Sequence, residues 1–253
     1  MNPRWMAFLV LFLVVFFQSA TPLLAEQTIK ISSDPWEPWV LGEEGGLATG
    51  GTAVRLAEEV FRQLKVPVEI KIYPYERCMR QMQSGERDVL LMAKKTKERE
   101  KFMLFSDVAA SDPQQLYFAV DRLAGFQWNN WEDLKKYTIG GVSAFNYGGL
   151  EDAVKKHNLK VIRVENDFQN LRKLVAGRID LIILNKSTAK FFEKKYPKFR
   201  GKFIAAKKPI ANADFHFALS KKGNAVSHLP GINKVLKKMK ADGSLEKVLG
   251  FAD

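Results

Sequence analysis

Asp88–Asp107 reads DVLLMAKKTKEREKFMLFSD, and the fold turns on how this stretch is read. Val89-Leu90-Leu91-Met92 is an apolar run of the length that suits a strand buried on both faces. The chain turns polar at Lys94-Lys95-Thr96. Thr96 stands at a helix N-cap position, with Glu98 and Glu100 in the first turn. A buried strand ending in a polar corner and a helix start is where open α/β sheets place their ligands. Arg99 lies just past that corner, and a guanidinium can hold a carboxylate through two parallel hydrogen bonds. The alternative is a surface arginine bridging Glu98 or Glu100. A site here requires a facing wall from the rest of the chain.

Toward the N-terminus the pattern supplies two more strands. Thr28–Ser32 alternates as a first strand, and Asp34-Pro35-Trp36-Glu37-Pro38-Trp39 is a loop in which prolines stop both helix and ladder. Its two tryptophans either close the end of the core or offer one flat ring to a pocket. Thr52 is placed to cap a helix whose inner face is Val54, Ala57, Val60, Phe61 and Leu64. Val68, Ile70 and Ile72 alternate as a second strand, and Tyr75–Ser84 reads as a helix ended by Gly85. The order βαβαβ calls for a parallel sheet with right-handed crossovers.

Beyond Asp107 the grammar repeats. Ala109–Gln114 reads as a polar connection and Leu116–Val120 as a strand. A short helix at Trp131–Lys136 and a strand at Tyr137–Val142 follow. A loop from Ser143 leads to a helix ending near His157, then a strand at Leu159–Val164. Asp167 is placed to cap the next helix, before a buried strand at Asp180–Leu184 and a helix start at Asn185. Gly85-Glu86-Arg87-Asp88-Val89-Leu90-Leu91 matches Gly177-Arg178-Ile179-Asp180-Leu181-Ile182-Ile183 in type. Lys202–Ala206 and Phe215–Ser220 read as two strands separated by a second polar crossing, Ala211–Asp214. Two amphipathic helices close the chain. Two similar lobes explain this better than one continuous sheet.

The first 25 residues stand apart. Arg4 precedes an apolar run from Met6 to Phe17, with a cleavage site after Ala25, the pattern of a secretory signal peptide. Cys78 is the single cysteine, so an exported chain has no internal disulfide, and Cys78 reads as a small apolar helix residue. The formal charge of +12 favours anionic partners. The lysines come as scattered doublets, which suits solvated helix faces and not a nucleic-acid stripe. His157, His216 and His228 show no metal-ligand spacing, and no cofactor is implied.

The chain resembles bacterial extracellular solute-binding protein family 3, periplasmic receptors for amino acids and related polar molecules that serve ABC importers. The likeness spans nearly all of Glu26–Asp253. It rests on Asp88–Leu91, Thr96–Glu100, Phe105-Ser106-Asp107, Trp131-Glu132-Asp133-Leu134, Gly177–Asp180 and Phe217–Gly223 in that order and spacing. The resemblance implies an α/β, type II, two-lobed periplasmic-binding-protein-like fold with two hinge crossings. Lobe 1 is expected at 26–109 plus 215–253, lobe 2 at 114–210, and the hinge at 110–113 and 211–214. It implies a monomer that takes a small-molecule ligand between the lobes and docks on importer membrane subunits.

Residue by residue, the resemblance puts Arg99 on the arginine that pairs with a ligand α-carboxylate. Ala93 and Lys94 fall where members offer backbone and side-chain groups, and Trp36 or Trp39 near an aromatic that packs on the ligand. Tyr75 and Arg77 fall where some members carry an aromatic and an arginine; a surface cluster with Glu76 is the alternative. In lobe 2, Ser143–Gly148, with Phe145 and Asn146, matches a loop whose amides face the carboxylate. Ser143 and Ala144 depart from the usual basic residue and glycine. Asn185 departs further, standing where many members have an aspartate that pairs with the α-amino group. An amide cannot neutralise an ammonium, so an anionic or amine-free ligand fits Asn185, Arg99 and the basic surface together. Two other functions carry over as alternatives. Some relatives are dehydratases of cyclic acids, for which Glu37, Glu76 or Asp214 would have to serve as general acid. The other is a ligand-sensing input docking on a membrane receptor.

Overall fold

The computed structural model describes residues 27–143 and 145–250. The expected signal peptide, the tail beyond Gly250 and Ala144 in the lobe 2 loop lie outside the described residues. The first half builds β1 (Ile29–Ser33), α1 (Thr52–Leu64), β2 (Val68–Ile72), α2 (Tyr75–Ser84) and β3 (Val89–Ala93). β1 pairs in parallel with both β2 and β3, as the βαβαβ order requires. All five residues of β3 are buried. Val89 and Leu91 enter the core beneath α1, and Leu90 enters the core beneath α2, so the strand is apolar because both of its faces are covered.

Helix starts differ from the sequence reading by one residue in two places. Gly51, not Thr52, is the N-cap of α1, because the carbonyls of Pro38 and Trp39 accept the N–H groups of Thr52 and Ala53. Gly51 has φ 116°, and a Cβ there would meet the Trp39 carbonyl oxygen at 2.2 Å, so the position admits no side chain. Asn166 caps the helix that begins at Asp167, accepting from Gln169 N at 3.0 Å. Thr96 does cap α3 (Lys97–Glu100), accepting from Arg99 N.

The second half repeats the first. A 3-10 turn at Trp131–Leu134 precedes β6 (Thr138–Val142), α4 (Leu150–His157), β7 (Lys160–Val164), α5 (Asp167–Val175), β8 (Leu181–Asn185) and α6 (Lys186–Lys195). β6 pairs in parallel with β7 and β8 as β1 does with β2 and β3. The match extends to single atoms. Asp88 Oδ2 accepts from Lys30 N and Asp180 Oδ2 from Thr138 N, at 2.8 and 2.7 Å. Each aspartate therefore fastens the start of its own strand to the central strand of its half.

Two long strands join the halves. β5 (Ala110–Ala119) and β9 (Phe203–Ser220) pair antiparallel from Ala110↔Phe215 to Ala119↔Phe203. β9 continues onto β3 and onto β4 (Met103–Phe105), and β5 pairs with β8, giving the strand order β2-β1-β3-β9-β5-β8-β6-β7. The sequence reading broke both long strands at their polar stretches. Pro113 and Pro209 instead lie within the ladder, beside the register shifts around Gln114 and Gln115, where a missing N–H is tolerated. α7 (Leu229–Ala241) and α8 (Ser244–Leu249) return to pack on α1.

The aspartate clamps have a measurable consequence. Asp180→Ala strips the acceptor from one strand-start N–H and is expected to cost about 1–3 kcal/mol in urea unfolding. Asp88→Ala is expected to cost more, because Asp88 also accepts from the backbone and side chain of Asn224.

Candidate functional site

The carboxyl ends of β1, β3, β6 and β8 converge between the halves. A cleft partly open to solvent lies there, lined from the first half by Asp34, Trp36, Tyr75, Leu91, Met92, Ala93, Lys94 and Arg99. Gln114 from β5, Phe145 and Asn146 from the β6–α4 loop, Asn185 from the end of β8, and Phe215 from β9 complete it. The end of β3 is bent into the cleft. Its pairing with β9 shifts register between Leu90 and Ala93, and Met92 has φ 50°, a left-handed conformation uncommon away from glycine.

Arg99 is held from two sides. Its Nη1 donates to the Lys94 carbonyl at 2.8 Å, its Nη2 donates to the Tyr75 hydroxyl, and the guanidinium carbon lies 5.5 Å from the Tyr75 ring centroid. These contacts use two of five N–H donors and fix the plane of the group. Burial pushes the Tyr75 hydroxyl up to about 12, which keeps it neutral. Lys94 Nζ donates to Gln114 Oε1 at 2.7 Å and to the Asn146 carbonyl at 2.6 Å. Burial, with Arg99 adding repulsion, brings the Lys94 ammonium down to about 8. Burial pushes the Asp34 carboxyl up to about 6, against the lowering effects of its backbone hydrogen bond and of Arg99.

The facing wall is built by local bonding. Arg163 Nη1 donates to the carbonyls of Val142 and Phe145, and Val142 N donates to the Tyr147 hydroxyl, which shapes the loop after β6. Asn185 is buried, and its Nδ2 donates to the Asp112 carbonyl at 3.2 Å. Asp112 in turn caps α6 from the neighbouring strand, accepting from Ser187 N and Oγ. Trp36 stacks on Trp39 with centroids 5.3 Å apart and meets Phe145 edge-on at 5.5 Å across the cleft. The Trp36 indole N–H is buried without a partner among the described residues. Beside the cleft, Glu37 pairs with Lys195, and its carbonyl accepts from Thr188 Oγ1 at 3.2 Å.

The structure thus brings Arg99, Trp36, Tyr75, Ala93, Lys94, Phe145, Asn146 and Asn185 together. It does not bring Trp39, Arg77 or Ser143 to the cleft wall. Trp39 is fully enclosed behind Trp36, Arg77 lies over the Tyr73 ring, and Ser143 is exposed and bonded to the Val164 carbonyl. Glu37, Glu76 and Asp214 also lie off the wall. Asp34, Met92, Gln114 and Phe215 are additions that the sequence reading missed. Asp34 directly follows the first strand, so the strand-end rule that singled out Arg99 also points to it.

Two α/β lobes with a polar cleft at their strand ends define a type II solute-binding fold. The chain belongs to the bacterial extracellular solute-binding proteins, family 3, which it matches over residues 29–250. An ancestral arginine-binding protein bound to arginine has a similar structure, with TM-score 0.73 and 24% identity over 88% of this chain and 97% of that one. The amino acid ABC transporter substrate-binding protein AbpA from Streptococcus pneumoniae, bound to L-arginine, gives TM-score 0.72 and 20% identity, covering 89% and 94%. The ancestral amino acid-binding protein AncCDT-1, a precursor of cyclohexadienyl dehydratase, gives 0.70 and 22%, covering 87% and 93%. Comparison with curated protein sequences gives no match.

The raised Asp34 carboxyl predicts a pH dependence. The folded protein keeps this proton to about pH 6, whereas an unfolded aspartate releases it near 3.8. The stability tied to the protonated form is therefore present at pH 3–4 and is lost as pH rises through about 6. Asp34→Asn should stabilise the protein by roughly 1–2 kcal/mol at pH 7.5 and by almost nothing at pH 4, read by urea unfolding at the two pH values.

Proposed function

We propose that this chain is a periplasmic receptor that captures a small polar, carboxylate-bearing solute between its lobes and presents it to the membrane subunits of an ABC importer. The observation that carries this reading is the charge of the cleft wall. Arg99 and Lys94 face it against the single carboxylate of Asp34, which leaves one positive charge for a ligand to neutralise. The oriented guanidinium of Arg99 supplies parallel donors for a carboxylate, while Trp36, Phe145 and Phe215 supply apolar walls. The arginine-bound relatives support an amino-acid-like ligand size.

Closure follows from the division of the site. Lobe 1 (26–109 plus 215–253) holds Arg99 and Asp34, and lobe 2 (114–210) holds Asn146 and Asn185. A ligand touching both stabilises the closed arrangement by its differential contacts, with 110–113 and 211–214 absorbing the rotation. The apolar leader at 1–25, opened by Arg4, directs export, and the receptor acts as a monomer.

A second reading has one observation behind it. Asp34 lines the cleft with its carboxyl pushed up to about 6, a range that suits a general acid, and one structural neighbour is a precursor of a cyclohexadienyl dehydratase. Aromatic product formed from a cyclohexadienyl acid by the purified protein, and lost in Asp34→Asn, would replace the receptor reading with this one.

Native mass spectrometry of purified protein should find one retained small acid per chain, and titration with that acid should show stoichiometric binding without turnover. Arg99→Ala should weaken its binding by about 100-fold or more, the loss expected for a charge-assisted pair. The melting temperature should stay within a few degrees, because Arg99 is a rim group and not core. Unchanged affinity overturns the assignment of Arg99.

A further inference from the structure

We infer that Lys94 supplies from the protein itself the ammonium that an amino acid would bring to this cleft, so that the site selects carboxylic acids without an amine. The inference rests on the receptor reading above and adds its specificity element.

The geometry starts from Arg99. Its guanidinium is bonded to the backbone carbonyl of Lys94, so a carboxylate held by Arg99 shares this corner of the cleft with Lys94. An α-ammonium at that carbon needs acceptor oxygens from the facing wall. Lys94 Nζ already donates to two of them, Gln114 Oε1 at 2.7 Å and the Asn146 carbonyl at 2.6 Å. Gln114 is the cross-strand partner of Asn185. The lysine ammonium therefore stands next to the end of β8, where Asn185 lines the cleft. Asn185 offers no charge there, and its Nδ2 is turned to the Asp112 carbonyl.

The charges agree with this placement. A ligand ammonium at the same corner would meet Lys94 at close range in a half-buried site, with Arg99 also near. Asp34 is the carboxylate among the lining residues, and burial pushes it up to about 6, with its backbone hydrogen bond and Arg99 acting to lower it. A monocarboxylate with a hydroxyl, a carbonyl or nothing at its second carbon neutralises the cleft and leaves the Lys94 bonds intact. A zwitterion leaves the surplus charge in place and adds a repelled group.

The test compares matched acids by calorimetry. L-phenylalanine is paired with 3-phenyllactate, L-leucine with 2-hydroxy-4-methylpentanoate, and L-glutamate with 2-hydroxyglutarate. The proteins are wild type, Lys94→Met, which keeps the stem and removes the charge, and Lys94→Arg, which keeps the charge. Wild type should bind the hydroxy acid of at least one pair tenfold or more tightly than its amino acid. Lys94→Met should shift that ratio at least tenfold toward the amino acid, and Lys94→Arg should shift it less. A wild-type preference for the amino acids, or a ratio unmoved in Lys94→Met while an acid still binds, overturns the inference and leaves the receptor reading standing. If no probe binds, the molecule retained in native mass spectrometry decides: an amine-free acid supports the inference and an amine overturns it. If nothing is retained either, the receptor reading fails and takes the inference with it.

Discussion

The antiparallel ladder between β5 and β9 carries both lobes. β3 and β4 pair on one stretch of β9, and β8 pairs on β5, so each half of the sheet is fastened to a strand that belongs equally to the other half. This fixes where the strand ends meet. The corner after β3 and the corner after β8 come to face each other because their supporting strands are paired side by side. Everything at the cleft, from Arg99 to Asn185, inherits its position from that pairing.

A second constraint acts at the cleft itself. Cationic side chains are costly to bury unless each finds oxygen acceptors, and here each does. Arg99 rests on a carbonyl and a phenol, and Lys94 on a carbonyl and an amide. The same contacts that make burial tolerable also orient the groups. Behind the wall, Asp112 spends its oxygens on the start of α6, and burial pushes its carboxyl up to about 6 despite those bonds. The polar layer is thus continuous from the cleft surface into the joint between β5 and α6.

Much of this was legible from residue order. The two βαβαβ halves, the buried strands at Val89 and Leu181 and the helix stops at Gly85 and Gly177 all follow from local pattern. So does the presence of Arg99 and Asn185 in one cleft, since Asn185 ends a buried strand and Arg99 lies on the short helix that follows one. The long crossing strands were not legible. Pro113, Pro209 and the small polar residues around them have the texture of a break, and their extended form is imposed by pairing with each other. Cap positions slipped at Thr52 and Asp167 because the neighbouring Gly51 and Asn166 meet the same need, the first through backbone carbonyls brought from the loop before it. Arg77 and Trp39 show the limit of position alone. Both are near the cleft in sequence, but packing against Tyr73 and Trp36 turns them elsewhere.

The route of β9 also sets how far apart in the chain the partners of each half lie. The second half of the sheet is contiguous in the chain, from β5 through β8 and back along the first part of β9. The first half is not. β3 pairs with Leu219 and Ala218, and the apolar face of α1 packs on α7 and α8, all far downstream of it in the chain. Those pairings have large sequence separation, the kind that slows folding. The half built from β1 to β3 is therefore closed only by elements more than a hundred residues downstream of it, whereas the other half is closed by its near neighbours.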